Sequence, residues 1–156
     1  NANFFLFGDG NDLARLEALV QELKLQDIYF KGCLVQDDLC KYLIEASVAV
    51  IPIPQKDIFQ YSSPLKLAEA VTLCLPIIAS DIEPNQIVRD NNLGILCDHT
   101  VDSYARAFLR FWEFSDYEMD TMRTNCNEIK YMFYPENVIK DVLKAIGNKI
   151  PIGTTD

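Results

Sequence analysis

The sequence predicts an α/β fold in which helices cover both faces of a parallel sheet, with extra helices at the carboxyl terminus. Short apolar runs alternate with segments of helical periodicity, and the starts of successive runs lie 17 to 29 residues apart. The length of 156 residues suits one domain, and 49% hydrophobic with 24% charged residues is the balance of a chain that builds an ordinary core.

The first two-thirds of the chain reads as strand, helix, strand, repeated. The predicted strands are residues 4–7, 28–30, 48–53, 77–79 and 94–97. The helix between the first two strands carries Leu13, Leu16, Val20 and Leu23 at helical spacing. A second helix is predicted over residues 36–46, a third from Ser63, and a short fourth near residues 84–89. Repeated crossovers of this kind connect parallel strands.

After residue 97 we expect only helices. Three apolar stripes predict them: Tyr104/Phe108/Phe111, Met119/Met122/Cys126/Ile129 and Val138/Val142/Ile146. We interpret these stripes as packing surfaces. Residues 4–147 are expected to form the domain, residues 148–156 a loose tail, and residues 1–3 an expression scar or a trimmed terminus.

Charge and composition exclude several classes of protein. Fourteen Lys and Arg against 23 Asp and Glu give a net charge of −9, which repels a nucleic acid backbone. Apolar runs such as residues 48–54 are far shorter than the roughly 20 residues of a membrane helix. The five cysteines form no C-x-x-C pair, so we expect mostly buried free thiols in a reducing compartment and no metal site.

Ligands of open α/β sheets gather at the carboxyl ends of the strands, so the loops there are the candidate sites. The first loop contains Gly8 and Gly10, which could let a ligand approach the backbone or could simply make a tight turn. His99, the single histidine, follows Cys97 and Asp98 in what we expect to be a surface turn. No Cys/His or Ser/His catalytic arrangement is predicted.

The loop after the third strand is the most informative. It leads into Ser63 and Pro64, a favourable N-cap and first helical residue, so free N–H groups should face the ligand edge. Lys66 adds a full positive charge to that helix start, which makes it a suitable seat for a diphosphate. The alternative is an ordinary Ser-Pro helix start with a solvated lysine.

Glu69 lies nearly two turns into the same helix, between Ala68 and Ala70. A carboxylate in such apolar company needs a partner. The hydroxyl pair of a ribose would fit, because one carboxylate can accept hydrogen bonds from both. The alternative is a structural salt bridge to a lysine.

These blocks together resemble the carboxyl-terminal donor-binding domain of family-4 (group 1) GT-B glycosyltransferases, each domain of which is Rossmann-like. The resemblance covers about residues 4 to 115. It rests on the order and spacing of F-G-D-G at 7–10, the helix at 13–23, I-Y-F-K-G at 28–32, S-P-L-K-L-A-E-A at 63–70, P-I-I-A-S-D at 76–81 and N-L-G-I-L at 92–96.

The resemblance implies roles for particular residues. Glu69 corresponds to the second glutamate of the family's E-x7-E motif, which holds the ribose, and Lys66 would help to stabilise the leaving diphosphate. The turn Ser62, Ser63, Pro64 and Leu65 corresponds to the backbone that takes the diphosphate. Cys33, Leu34 and Val35 correspond to the stretch against the nucleobase, and Gly8 and Gly10 to a glycine turn bordering the cleft.

The chain also departs from the family pattern. Tyr61 stands where the first motif glutamate would fall, so we count it as a donor-binding position of changed chemistry. The family's diphosphate-clamping Arg and Lys belong to a strand–helix unit upstream of residue 4. The resemblance therefore implies that this unit and the amino-terminal acceptor domain are missing from these 156 residues.

The expected function is binding of a nucleotide diphosphate sugar within a retaining glycosyltransferase of glycan or polysaccharide synthesis. The resemblance implies a reaction without metal or cofactor and inactivity of the fragment alone. The cysteines favour a cytoplasmic location and the net charge disfavours a nucleic acid partner, while membrane contact of a full-length protein stays open. Two alternatives remain. One is a non-catalytic flavodoxin- or receiver-like module, although Pro52 and Pro54 replace the aspartate that a receiver needs after its third strand. The other is half of a GT-B epimerase or phosphorylase.

Overall fold

The computed structural model describes residues 2–61 and 65–147. The chain divides into two compact units, Asn1–Tyr42 and Leu43–Asp156. Every strand pair in the described residues is parallel, as the alternating pattern predicts. The strands form a pair in the first unit and a triplet in the second.

The first unit contains β1 (Phe4–Leu6), α1 (Leu13–Glu22), β2 (Ile28–Phe30) and most of α2 (Gln36–Glu45). The two strands pair in the register Phe4 to Ile28. The predicted inward residues of α1 are half-buried, with the exception of Leu23. Leu23 caps the helix and is 57% exposed, because α1 ends one residue earlier than the periodicity suggests.

The second unit begins its sheet with β3 (Ala49–Ile51), followed by α3 (Leu65–Thr72) and β4 (Ile77–Ser80). A 3₁₀ turn (Glu83–Asn85) and α4 (Gln86–Asp90) lead to β5 (Gly94–Cys97). The strand order is β3-β4-β5. β3 is shorter than the predicted 48–53 because Pro52 and Pro54 have no N–H with which to extend the ladder.

Helices cover both faces of this triplet. Ile77 and Ala79 point to one side, where they pack with residues of α3, α4 and α6. Ile78 points to the other side, where it packs with Ala107 of α5. This alternation is the two-residue period of a strand. The buried members of the larger cluster are Ile51, Leu67, Ala70, Val71, Leu75, Ile77, Ala79, Val88, Leu93 and Cys126.

The carboxyl-terminal segment is helical, as predicted: α5 (Val101–Trp112), α6 (Asp116–Ile129), a 3₁₀ turn (Lys130–Phe133) and α7 (Pro135–Gly147). The stripes of α5 and α6 pack inward, and Met122 and Cys126 are buried. The stripe of α7 stays about half exposed. No helix among the described residues has the length and apolarity to cross a membrane.

Candidate functional site

The glycine turn of the first unit has the backbone geometry that glycine permits. Gly8 has φ +113° and Gly32 has φ +65°, and the N–H of Gly8 donates to the carbonyl of Gly32 at 2.8 Å. The turns that follow β1 and β2 are therefore joined. Gly10 accepts a hydrogen bond from Leu13 N–H at the start of α1. A Cβ at Gly8, Gly10 or Gly32 would meet no heavy atom within 4 Å, which leaves this surface open.

The segment after β2 lies beside that turn. Cys33 is exposed, Leu34 is half-buried and Val35 is 69% exposed. The carbonyl of Val35 accepts hydrogen bonds from the N–H groups of Asp38 and Leu39, which anchors the segment to the beginning of α2. The exposure of Cys33 differs from the expected burial of the thiols, and it leaves apolar surface free next to the glycine turn.

Only part of the predicted diphosphate seat lies in the described residues. Ser62, Ser63 and Pro64 fall outside them. Tyr61 precedes the gap and is 94% exposed, and Leu65 opens the described part of α3 with 71% exposure. Lys66 is exposed in the first described turn, and it forms no salt bridge with any described carboxylate. Its charge is available to a ligand.

Glu69 is half-buried on α3, flanked by the buried Leu67, Ala70 and Val71. Its carboxylate makes no hydrogen bond or salt bridge with any other described residue, so a structural salt bridge to a described lysine does not form. A half-buried carboxylate without such a partner retains its capacity to accept hydrogen bonds from a ligand.

The loops after β3 and β4 are bound together, a feature that the sequence patterns do not indicate. The side chain of Gln55 donates to the carbonyl of Asp81 at 3.0 Å, and the backbone N–H of Glu83 donates to Gln60 Oε1 at 3.0 Å. Asp81 in turn accepts hydrogen bonds from Gln86 and Arg89, which also contact each other. Hydrogen bonds from polar side chains therefore hold the loops after β3 and β4 together at the carboxyl edge of the three-stranded sheet.

A second polar group lies beneath that edge. The hydroxyl of the fully buried Ser80, at the end of β4, is 2.9 Å from Tyr104 Oη and 3.4 Å from His99 Nδ1. Burial raises the pKa of Tyr104 to about 12. The pKa of the Cys97 thiol is also raised, chiefly by burial. His99 occupies an exposed turn, as expected, but its contact with Ser80 was not indicated by sequence.

The side chain of Asn85 completes this region. Its Nδ2 donates to the carbonyl of Ser80 at 2.8 Å, while its Oδ1 is buried without a partner among the described residues. The amide thereby fixes the turn that leaves β4. The signal that could have found Ser80 and His99 is their position within two residues of the ends of predicted strands, whereas Asn85 and Tyr104 lie further along the chain.

Comparison with known proteins identifies the family and supports the fold. The family described as "Glycosyl transferases group 1" matches residues 1–113. Among solved structures, the chain is similar to the crystal structure of WaaG, a glycosyltransferase involved in lipopolysaccharide biosynthesis, with a TM-score of 0.68 and 18% sequence identity. That match covers 83% of this chain and 34% of the other, so this chain spans about a third of its length. No curated protein matches.

The structural match confirms the expected fold class, a Rossmann-like half of a GT-B fold. The match to the group 1 family also favours a glycosyltransferase over a flavodoxin- or receiver-like module. The roles of individual residues are proposals, developed below.

Proposed function

Because this chain belongs to the group 1 glycosyltransferases, we propose that residues 4–147 form the domain that binds the nucleotide diphosphate sugar in a retaining glycosyltransferase. The family match carries the proposal. WaaG acts in lipopolysaccharide biosynthesis, and we extend only the general class, glycan or polysaccharide synthesis, to this chain. The free thiols support a cytoplasmic location.

The diphosphate is proposed to bind at the start of α3. Ser62, Ser63 and Leu65, around Pro64, would supply backbone N–H groups, and Lys66 would supply a positive charge. The exposure of Lys66 and its lack of a salt bridge with any carboxylate in residues 2–61 and 65–147 support this role. In a chain of net charge −9, a diphosphate needs a local region of positive charge such as this helix start. The same groups would stabilise the charge of the leaving diphosphate with little reorganisation, without a metal or cofactor.

The ribose is proposed to bind to Glu69. Its half-buried carboxylate has no described partner and can accept from both hydroxyls of a ribose. Cys33, Leu34 and Val35 are proposed to lie against the nucleobase, and Gly8 and Gly10 to border the cleft. The positive φ of Gly8 and the open space around both glycines support a close approach of ligand to backbone. Tyr61, which is exposed at the position of the first glutamate of the E-x7-E motif, is proposed to contact the donor.

The proposal is tested by titrating the ¹⁵N-labelled chain with uridine, adenosine and guanosine diphosphates up to millimolar concentration. We expect at least one of them to shift the amide signals of Glu69 and Leu34. Glu69→Gln should weaken that binding about tenfold, since charge-assisted hydrogen bonds contribute roughly 1.5–3 kcal/mol. Lys66→Ala should also weaken it, less so at high salt. The exposed Glu17→Gln on α1 is the matched control and should bind as the wild type does.

Failure of all three diphosphates to shift any signal would refute the donor-binding role. We further propose that these residues alone do not transfer sugar, because the acceptor domain and the clamping Arg and Lys are expected elsewhere in the full protein. A measurable transfer rate from the purified 156-residue chain to an added acceptor would contradict this second proposal.

A further inference from the structure

The polar group beneath the carboxyl edge of the triplet forms a chain of three side chains. Ser80 ends β4, His99 lies two residues beyond β5, and Tyr104 is in the first turns of α5. The buried Ser80 hydroxyl contacts Tyr104 Oη at 2.9 Å and His99 Nδ1 at 3.4 Å. His99 is exposed at the far end of this chain, while Ser80 is fully buried.

The contact between Tyr104 and the carbonyl of Ile51 bears on where each proton of these three side chains lies. Tyr104 Oη also lies 3.4 Å from the carbonyl oxygen of Ile51, the last residue of β3. A carbonyl can only accept, so the contact with Ile51 is a hydrogen bond only when it takes the single phenolic proton of Tyr104. The hydroxyl of Ser80 then donates to Tyr104. When all three contacts are made as hydrogen bonds, Ser80 has only lone pairs left for His99, and His99 Nδ1 carries the proton between them.

The surroundings keep this order of donors in place. Tyr104 retains its proton throughout the neutral range because burial raises its pKa to about 12. The thiol of Cys97, next to Tyr104, donates to the carbonyl of Ala79 at 3.6 Å. The Cys97 sulfur also contacts Tyr104, but sulfur is a weak donor and a weak acceptor, so it displaces neither the Ser80 hydroxyl nor the Ile51 carbonyl.

A neutral histidine with a proton on Nδ1 has its lone pair on Nε2. Nε2 of His99 makes no hydrogen bond with any residue in the described part of the chain. Its ring is exposed at the carboxyl end of β5, the edge of an open α/β sheet where ligands bind. A lone pair there accepts from a hydroxyl and repels the oxygens of a phosphate, which are themselves acceptors.

We propose that Ser80 and Tyr104 position His99 as the Nδ1–H tautomer, so that its Nε2 accepts a hydrogen bond from a hydroxyl group of the donor sugar. This inference rests on the proposed function, since it assigns the sugar part of the nucleotide sugar to this end of the sheet. His99 is then a ligand-contacting residue, and Ser80 and Tyr104 are positioning residues.

The tautomer is measured without any ligand. His99 is the single histidine of the chain, so a long-range ¹H–¹⁵N spectrum at pH 8 reports its ring nitrogens without ambiguity. We expect the Nδ1–H tautomer. In Tyr104→Phe the Ser80 hydroxyl loses its acceptor and turns to Nδ1, so the Nε2–H tautomer should dominate. Tyr117→Phe, at a position 80% exposed on α6, is the matched control and should keep the wild-type spectrum.

An Nε2–H tautomer in the wild-type protein would overturn the positioning role, and this result needs no variant to fold. A Tyr104→Phe protein that keeps the Nδ1–H tautomer would also overturn it. A purely structural Tyr104 would alter stability but would leave the tautomer unchanged.

The sugar contact is measured by comparing uridine, adenosine and guanosine diphosphates with their glucose conjugates. For a base that binds, His99→Ala should weaken the glucose conjugate about tenfold and the bare diphosphate less than twofold. Equal effects on both ligands, or none, would overturn the sugar contact. If no nucleotide binds the wild type, the proposed function fails and the sugar contact with it, while the ligand-free spectrum still decides the tautomer.

Discussion

The close approach of β4 and β5 at Gly94 predicts that this glycine cannot be replaced. Gly94 pairs with Ile77 in the parallel ladder, and a Cβ built on Gly94 would lie 1.8 Å from the carbonyl oxygen of Ile77. The nearby carbonyl carbon and amide nitrogen of Ile77 would both be 2.7 Å away. All three are backbone atoms of a fully buried residue, so no side-chain rotation relieves the clash.

The size of the effect follows from these distances. Real Cβ atoms essentially never approach a heavy atom closer than 3.0 Å, so the strands would have to separate by about 1.2 Å. Such a shift would stretch the hydrogen bond from Ile77 N–H to the carbonyl of Leu93, now 3.0 Å, to a length at which it is lost. We expect Gly94→Ala to lower the free energy of unfolding by about 3 kcal/mol or more.

The assay is urea unfolding followed by the fluorescence of Trp112, the single tryptophan, which lies on α5 in the same unit. Gly10→Ala is the matched control, because its Cβ would meet nothing within 4 Å and it removes the same backbone freedom from the unfolded chain. We expect the control to stay within about 0.5 kcal/mol of the wild type. Equal midpoints and slopes for the two variants would refute the steric argument.

Two further predictions concern the thiols and α6. Cys33 should react first with a thiol reagent at pH 8, because it is exposed. Cys97 and Cys126 should resist until the protein unfolds, since burial raises the pKa of both thiols, that of Cys126 to about 12. Cys33→Ser should remove the fast phase of the reaction, and persistence of that phase would contradict the assignment. Ser115→Ala should lower the free energy of unfolding by about 1 kcal/mol, because it removes the N-cap of α6. Ser115 Oγ accepts a hydrogen bond from the Glu118 N–H, and Glu118 Oε2 accepts one from the Ser115 N–H at 2.8 Å. The Ser115 backbone N–H and hydroxyl lower the pKa of Glu118, and the variant removes only the hydroxyl contact. That part of the wild-type advantage should be present above the ordinary glutamate pKa and lost as the pH falls through the lowered one; an advantage wholly independent of pH would contradict this origin.

Local patterns in the sequence were sufficient to predict the class of fold. The apolar runs predicted the five strands found in the described part of the chain, because a buried parallel strand needs continuous apolar residues. The helical stripes of α5 and α6 pack as their spacing indicated. The boundaries were less accurate. β3 ends at Ile51 because proline cannot extend the ladder, and α1 ends before Leu23.

Some residues of the candidate site could be singled out from the sequence, because a residue that directly follows a strand or begins a helix is visible there. Gly8 and Lys66 belong to this group, whereas Glu69 lies further along α3 and was singled out by its apolar neighbours. The half-burial of Glu69 and the absence of a described salt bridge were not predictable, since a carboxylate between two alanines is compatible with either a ligand or a lysine.

The tertiary structure alone decided which loops meet. Gln55 reaches Asp81, Gln60 reaches Glu83, and Tyr104 reaches both Ser80 and Ile51. The tertiary structure also decided that the parallel strands pair as two and three, and that Gly94 must lack a side chain. Periodicity and caps depend on neighbours within a few residues, whereas these hydrogen bonds join residues 23 to 53 positions apart, whose meeting depends on strand register and helix packing.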